Sequence, residues 1–315
     1  MRSGLKKGNM AIHTKLNKDN EEVFVFDEHP AIEVRPDVIN LKDIEKLMPA
    51  AARFPHLVKW LMHLLKIDEV NRVHGKFSRT TAGPEFVRHL MEDDFRIPVQ
   101  VDNLEVLERF KEGPFITVSN HPFGSVDGIA LIYLVTQVRP EYKVMVNMIL
   151  NQLSAMRPNF IAVDQAASPD PEKRRVSVAG IREAIGMLKE GKPVGFFPAG
   201  AIGKTDKDGI IVDRPWQPAI LQIIGKAKVP VIPIYFHGTN SRLFNWLGHH
   251  SIALRTAMLP REMFSKRGKP MHVTIGEPVS VEKQAEFGRD YEALGQYLRQ
   301  ATYSLSGREI LSVAK

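Results

Sequence analysis

From Arg96 onward the chain alternates short apolar runs with longer helix-patterned stretches, and this alternation limits the fold more than any other feature. FITVSN (115–120), YKVMVN (142–147), NFIAV (159–163), PVGFF (193–197), PVIPIYF (230–236) and MHVTI (271–275) read as strands. Helical candidates lie at 128–138, 172–190, 216–227 and 281–304. Strand and helix alternating at this spacing predict an α/β fold, a mixed, largely parallel sheet flanked by helices. Ligands of such sheets gather at the carboxyl ends of the strands, so the loops that follow strands come first in the search for a site.

Residues 1 to about 40 are polar and mixed, with one β-like run at Glu22–Phe26, and are expected to form a loosely ordered arm. From Leu41 to Asp94 the pattern is helical. In FPHLVKWLMHLLKI, Leu57, Trp60, Leu61, Leu64 and Leu65 recur at steps of three and four, with Lys59, His63 and Lys66 between them. That stripe is expected to lie on the core, the alternative being a lipid interface, where Trp and basic residues are favoured. The expected division is an arm with a helical extension (1–95) and a second domain (96–315).

With 315 residues and 43% hydrophobic content the chain can build a sizeable core, and it contains no cysteine, which removes disulfides, Cys-based zinc sites and thiol nucleophiles. Charges interrupt every apolar run before it could span a bilayer, and the amino terminus does not read as a secretory signal. The expected location is cytoplasmic. A net charge of +7 favours an anionic partner.

The loop after FITVSN reads Asn120-His121-Pro122-Phe123-Gly124-Ser125-Val126-Asp127, and an apolar helix follows. A His closing a strand and an Asp opening the next helix can meet across a turn shaped by Pro122 and Gly124. Neutral imidazole can then take a proton from an acceptor hydroxyl, while the carboxylate holds the tautomer and stabilises the imidazolium. The plainer alternative makes Asp127 a helix cap and His121 a structural loop residue.

Here the sequence resembles the glycerolipid and lysophospholipid acyltransferase superfamily, whose signatures are N-H-x4-D, then F-P-E-G-T-R, then an apolar block with proline. The resemblance covers about residues 96–280. His121 and Asp127 match the catalytic pair, Phe197-Pro198-Ala199-Gly200 the start of the second signature, and Val229-Pro230-Val231-Ile232-Pro233-Ile234 the last block. It implies the acyltransferase fold, catalysis by His121 and Asp127, and a substrate site lined by Asn120, Phe123, Gly124, Ser125, Phe197, Pro198, Ala199, Gly200, Lys204 and Pro233. The co-substrate would be an acyl thioester, acyl-CoA or acyl carrier protein, with no other cofactor and no metal. The protein would sit peripherally on the inner face of the cell membrane.

Two departures bear on the acceptor. Five residues rather than four separate His121 from Asp127, a form that resembles the hemolysin-like branch of lyso-ornithine and lyso-glycine lipid O-acyltransferases. The Glu, Thr and Arg of F-P-E-G-T-R are replaced by Ala199, Ala201 and Ile202, and Asp164 and Gln165 stand where an Arg usually follows a short strand. Bidentate phosphate recognition is hard to build without Arg, although Lys204 and Arg214 could act as point charges. A phosphate-free lyso-amino-lipid is therefore expected as acceptor, with a lysophospholipid as the alternative. Oxyanion donors are expected from the backbone of Phe123–Ser125 and Ala199–Ile202.

Other signals are weaker. PAGAIGKT has Pro198 where a Walker A loop needs glycine. His89, His237, His272 and His249-His250 are expected to be structural or surface groups without carboxylate partners. The cluster Arg261, Lys266, Arg267 and Lys269 lacks the aromatic interleaving of nucleic-acid platforms, so no nucleic-acid partner is expected and the cluster reads as a solvated loop or as a contact for anionic lipid or an acidic acyl carrier protein.

Overall fold

The structure, a computed structural model, describes residues 12–18, 20–26, 33–47, 49, 53–164, 170–206 and 210–307. The start of the amino terminus, read above for a leader, and Gln165 lie outside the described residues.

Strands β1 (Ile12–Leu16), β2 (Glu22–Phe26) and β3 (Glu33–Val34) pair antiparallel. Val23, Val25, Phe26 and Val34 are buried, and Phe26 and Val34 join the same apolar cluster as Val73, Phe77 and Phe86. The expected loose arm is thus an ordered sheet over its described residues, held by apolar burial.

Helices α1 (Leu41–Leu47), α2 (Pro55–Leu64), α3 (Ile67–Ser78) and α4 (Gly83–His89) follow, and α4 runs into a π-helical turn at Leu90–Phe95. The expectation for α2 is overturned. Only Met62 of this helix is buried, while Leu57 and Trp60 are 52% and 59% exposed and Leu61 and Leu64 are exposed with them. The inner positions are already filled from α3 and α4 by Val73, Phe77, Phe86 and Val87.

Next come β4 (Val99–Asp102), α5 (Glu105–Glu108), β5 (Ile116–Ser119), α6 (Val126–Thr136), β6 (Lys143–Asn147), β7 (Phe160–Val163), α7 (Pro171–Lys189) and β8 (Val194–Phe196). Two-residue strands β9 (Lys204–Thr205) and β10 (Ile211–Val212) form a small hairpin, followed by α8 (Pro218–Ala227) and β11 (Val231–Phe236). The chain ends with α9 (Arg242–His250), α10 (Ile252–Ala257), α11 (Leu259–Phe264), β12 (Met271–Ile275), α12 (Val281–Ala285) and α13 (Tyr291–Ser304).

The main sheet has the order β4-β12-β11-β5-β8-β6-β7. Its five strands from β11 to β7 are parallel, and β12 and β4 run the opposite way at one edge. The sheet is the expected mixed, largely parallel one, covered on both faces. Thr117 and Gly195 fit only because a residue without a side chain stands beside Tyr142: a methyl group at Gly195 would lie 1.9 Å from the Tyr142 hydroxyl. Helix α6 is apolar nearly all round, which fits its burial between the sheet and α4. The helical candidate 281–304 is two helices, because Gly288 turns at φ +57° and Asp290 caps a fresh start by accepting the Ala293 N–H.

From β5 the chain crosses toward β6, and from β8 it crosses toward β11 on the other side. Their carboxyl ends are adjacent while their connections diverge, which opens a crevice between them. His121 follows β5 and Phe197 follows β8.

Candidate active site

Asp127 lies in the first turn of α6, fully buried, with Oδ2 3.0 Å from His121 Nδ1. The same oxygen accepts the N–H groups of Phe123 (2.9 Å) and Gly124 (3.2 Å), while Oδ1 accepts that of Gly128 (2.9 Å). One carboxylate thus folds the loop and holds the imidazole. This assigns the two nearest loop N–H groups to Asp127, so the expectation that Phe123 and Gly124 supply oxyanion donors is not met.

Burial alone would push the His121 imidazole down, but the charge and contact of Asp127, helped by Asp213, outweigh it and hold its pKa above the ordinary value. Burial would raise Asp127; the His121 charge and contact and the loop N–H groups hold it low instead. The result is a buried, polarised pair whose imidazole is 17% exposed on one side. Such a pair can take a proton from a hydroxyl placed in the crevice.

The second signature meets the first across the crevice. The Phe197 ring lies against His121 with centroids 4.3 Å apart. Gly200 sits at φ +62°, its N–H donating to Phe197 O, and a methyl group there would overlap the Gln217 amide at 1.8 Å. Gly203 N–H donates to His121 O at 3.0 Å. Gly124 has φ +79°, and the Ile202 side chain rests directly on it, 2.2 Å from where a Cβ would stand. The lengthened His–Asp loop and the residue in the Arg position of the second signature therefore pack on each other at Gly124.

The family model described as "Acyltransferase" matches residues 44–309. The chain belongs to this acyltransferase family. The acyltransferase is 30% identical to the lyso-glycine lipid O-acyltransferase of Bacteroides thetaiotaomicron over 77% of its own chain and 90% of that protein. It is 29% identical to the protein of the same name from Phocaeicola vulgatus, over 77% and 88%. Among solved structures it is similar to the 1-acyl-sn-glycerophosphate (LPA) acyltransferase PlsC of Thermotoga maritima at 20% identity, TM-score 0.42, covering 79% and 81% of the two chains.

In the acyltransferase, His121, Asp127, Phe123, Gly124, Phe197 and Gly200 converge around the crevice, while Ala199 is buried in the apolar cluster that holds Ile116, Trp216 and Leu221. Asn120 spends its amide on the strands: Nδ2 donates to Phe236 O (2.9 Å) and Oδ1 accepts the Phe236 N–H (2.7 Å), which locks β5 to β11. Ser125 precedes α6 with a buried Oγ that has no partner among the described residues. Pro198 O accepts the Gln217 N–H. Lys204 is exposed on β9, and Pro233 lies inside β11, lining a cleft of about 390 Å³ with Gly276, Tyr297 and Leu305.

Three residues reach the site without a motif to announce them. Buried Asp213 accepts the His121 N–H through Oδ1 (3.3 Å), leaving Oδ2 without a partner among the described residues, and burial pushes its carboxyl up to about 6. Arg255, buried against the Phe244 ring, donates to Gly203 O (2.6 Å). Lys266 lies over the Phe123 ring and donates to Thr239 O (2.7 Å). The only sequence trace of Lys266 was its place in a basic cluster. The cluster is solvated only in part: Arg261 and Lys269 are exposed, whereas Arg267 binds Asp94 and Glu69 and covers Phe264.

The histidines outside the site also depart from expectation. His89 pairs with Asp93 four residues on, and His272 with Asp102 across paired strands. His237 stacks on His272 with centroids 4.1 Å apart.

Proposed function

We propose that the protein moves a fatty acyl group from an acyl thioester, carried by acyl carrier protein or coenzyme A, to the hydroxyl of a lyso-amino-lipid without phosphate, such as a lyso-glycine or lyso-ornithine lipid. His121 acts as general base on the acceptor hydroxyl, and Asp127 orients it and stabilises the imidazolium. The acceptor oxygen attacks the thioester carbonyl directly, and the tetrahedral intermediate expels the thiolate. The N–H groups of Ala201 and Ile202, without a partner among the described residues, are the donors offered to the oxyanion.

The observation that carries the choice of acceptor is the seat of Ile202. An apolar side chain packed on Gly124 occupies the place that the resemblance gives to a phosphate-gripping arginine. The names of the two lyso-glycine lipid O-acyltransferase relatives agree with an acceptor of this kind. The exposed stripe of α2, with Lys59 and Lys66 beside it, fits peripheral attachment to a membrane, and no helix among the described residues is long and apolar enough to cross one.

The test is a side-by-side assay of N-(3-hydroxyacyl)glycine and lysophosphatidic acid as acceptors with one acyl thioester. Faster acylation of the amino lipid is expected, and equal or faster acylation of lysophosphatidic acid would refute the acceptor. His121→Ala should lose on the order of 10² to 10⁴ in rate while keeping its circular dichroism.

A further inference from the structure

Helices α9 and α10 have two very different sides. Inward, Phe244, Leu247 and Arg255 are buried, and Arg255 holds the 202–203 loop whose Gly203 N–H binds His121 O. Outward, Leu243, Trp246, Ile252 and Leu254 are 51–71% exposed, four large apolar side chains on fifteen residues of helix. His250 stacks on the Trp246 indole and its ring bonds the Trp246 carbonyl, which steadies the indole in its outward position.

The exposed charge on these helices has one sign. Residues 242–261 contain no acidic residue and three Arg, of which Arg242 and Arg261 are exposed and Arg255 is buried, while the neighbouring Glu262 is buried with its carboxylate on Ser241. Apolar side chains at solvent, an outward tryptophan and exposed Arg242 and Arg261 with no acidic residue on either helix match the boundary of an anionic bilayer. An acidic carrier protein would need several Lys or Arg within the face itself, where Arg242 stands with imidazoles. The face is also tied to the site rather than remote from it.

We infer that the outer face of α9 and α10 is a second membrane-seating surface, which inserts Leu243, Trp246, Ile252 and Leu254 into an anionic lipid boundary and so sets the His121 crevice beside the bilayer. Its purpose rests on the lipid-acceptor reading, but the binding can be measured without turnover. An acceptor with a long acyl chain would then reach the crevice without leaving lipid.

The experiment is co-flotation of the full chain with vesicles of phosphatidylcholine and phosphatidylglycerol in equal parts. The wild type should float, less so in high salt or with phosphatidylcholine alone. Trp246→Ser combined with Ile252→Ser should lower the bound fraction about tenfold or more. A second reading covers a misfolded variant: in Trp60→Phe, brominated-chain lipids should quench Trp246, since Trp216 is buried. Undiminished flotation of the Ser variant, or no quenching, overturns the inference. So does a variant that floats normally but no longer binds acyl carrier protein, which would make this face a carrier dock. Flotation as expected with no acylation of the amino lipid would leave this surface standing and remove the functional reading.

Discussion

Asp213 is the residue whose behaviour separates this site from a simple His–Asp pair. Its carboxylate favours the imidazolium of His121, so with His121 as the proposed base the rate should fall as pH drops through a value above the ordinary 6.5 of histidine. In Asp213→Asn the acid limb of kcat/KM should move to lower pH, with the alkaline plateau retained. Stability carries the opposite signature. A carboxyl raised to about 6 favours the fold while protonated and loses that benefit as pH climbs from the unfolded value through 6. Thermal melts should therefore show Asp213→Asn gaining on the wild type as pH rises from 4 to 7, by as much as about 3 kcal/mol for two pKa units. Nothing in the sequence points to this residue: it follows a two-residue strand, and its distance in sequence from His121 is arbitrary. His121 and Asp127 were legible because one turn brings them together, whereas Asp213 arrives by tertiary folding alone.

At the scale of the element, the two loops of the crevice are built on positive-φ glycines. Gly200→Ala forces a left-handed backbone and a collision with Gln217 together, and should cost about 2 kcal/mol in denaturant melts along with most of the activity. Gly124→Ala must displace Ile202 and should act similarly, with partial rescue by Ile202→Ala. The six strands legible in the sequence are apolar runs, of which β5, β8 and most of β11 are buried on both faces while β12 alternates. Strand β4 was not legible, since VQVD is a short polar edge with half its residues exposed. The helices of residues 242–264 escaped notice because their caps, Ser241 and Ser251, sit among mixed residues and their apolar positions point both ways.

Over the whole molecule, one arginine joins distant pieces. Arg267, after α11, binds Glu69 at the start of α3 and Asp94 in the π-helical turn, and covers Phe95 and Phe264. Arg267→Met keeps the packing but leaves nearly buried Asp94 with the longer contact to Arg72. It should cost about 2 kcal/mol at neutral pH. Arg72 first, and Arg267 with it, hold the Glu69 carboxyl down at about 2, so this contribution should fade as pH falls from 4.5 toward 2. The largely parallel character of the sheet followed from strand and helix alternation, but its strand order did not, and no rule of periodicity shows that a loop after α11 will grip the start of α3.

The outward stripe of α2, if it seats the protein on lipid as proposed, also changes what concentration means for this protein. On the proposed membrane attachment, the enzyme would meet its acceptor in two dimensions, so its rate should follow the acceptor's mole fraction in the surface rather than its amount per litre. Adding inert lipid at fixed acceptor should slow turnover, whereas adding acceptor and inert lipid in proportion should leave the rate per bound enzyme unchanged.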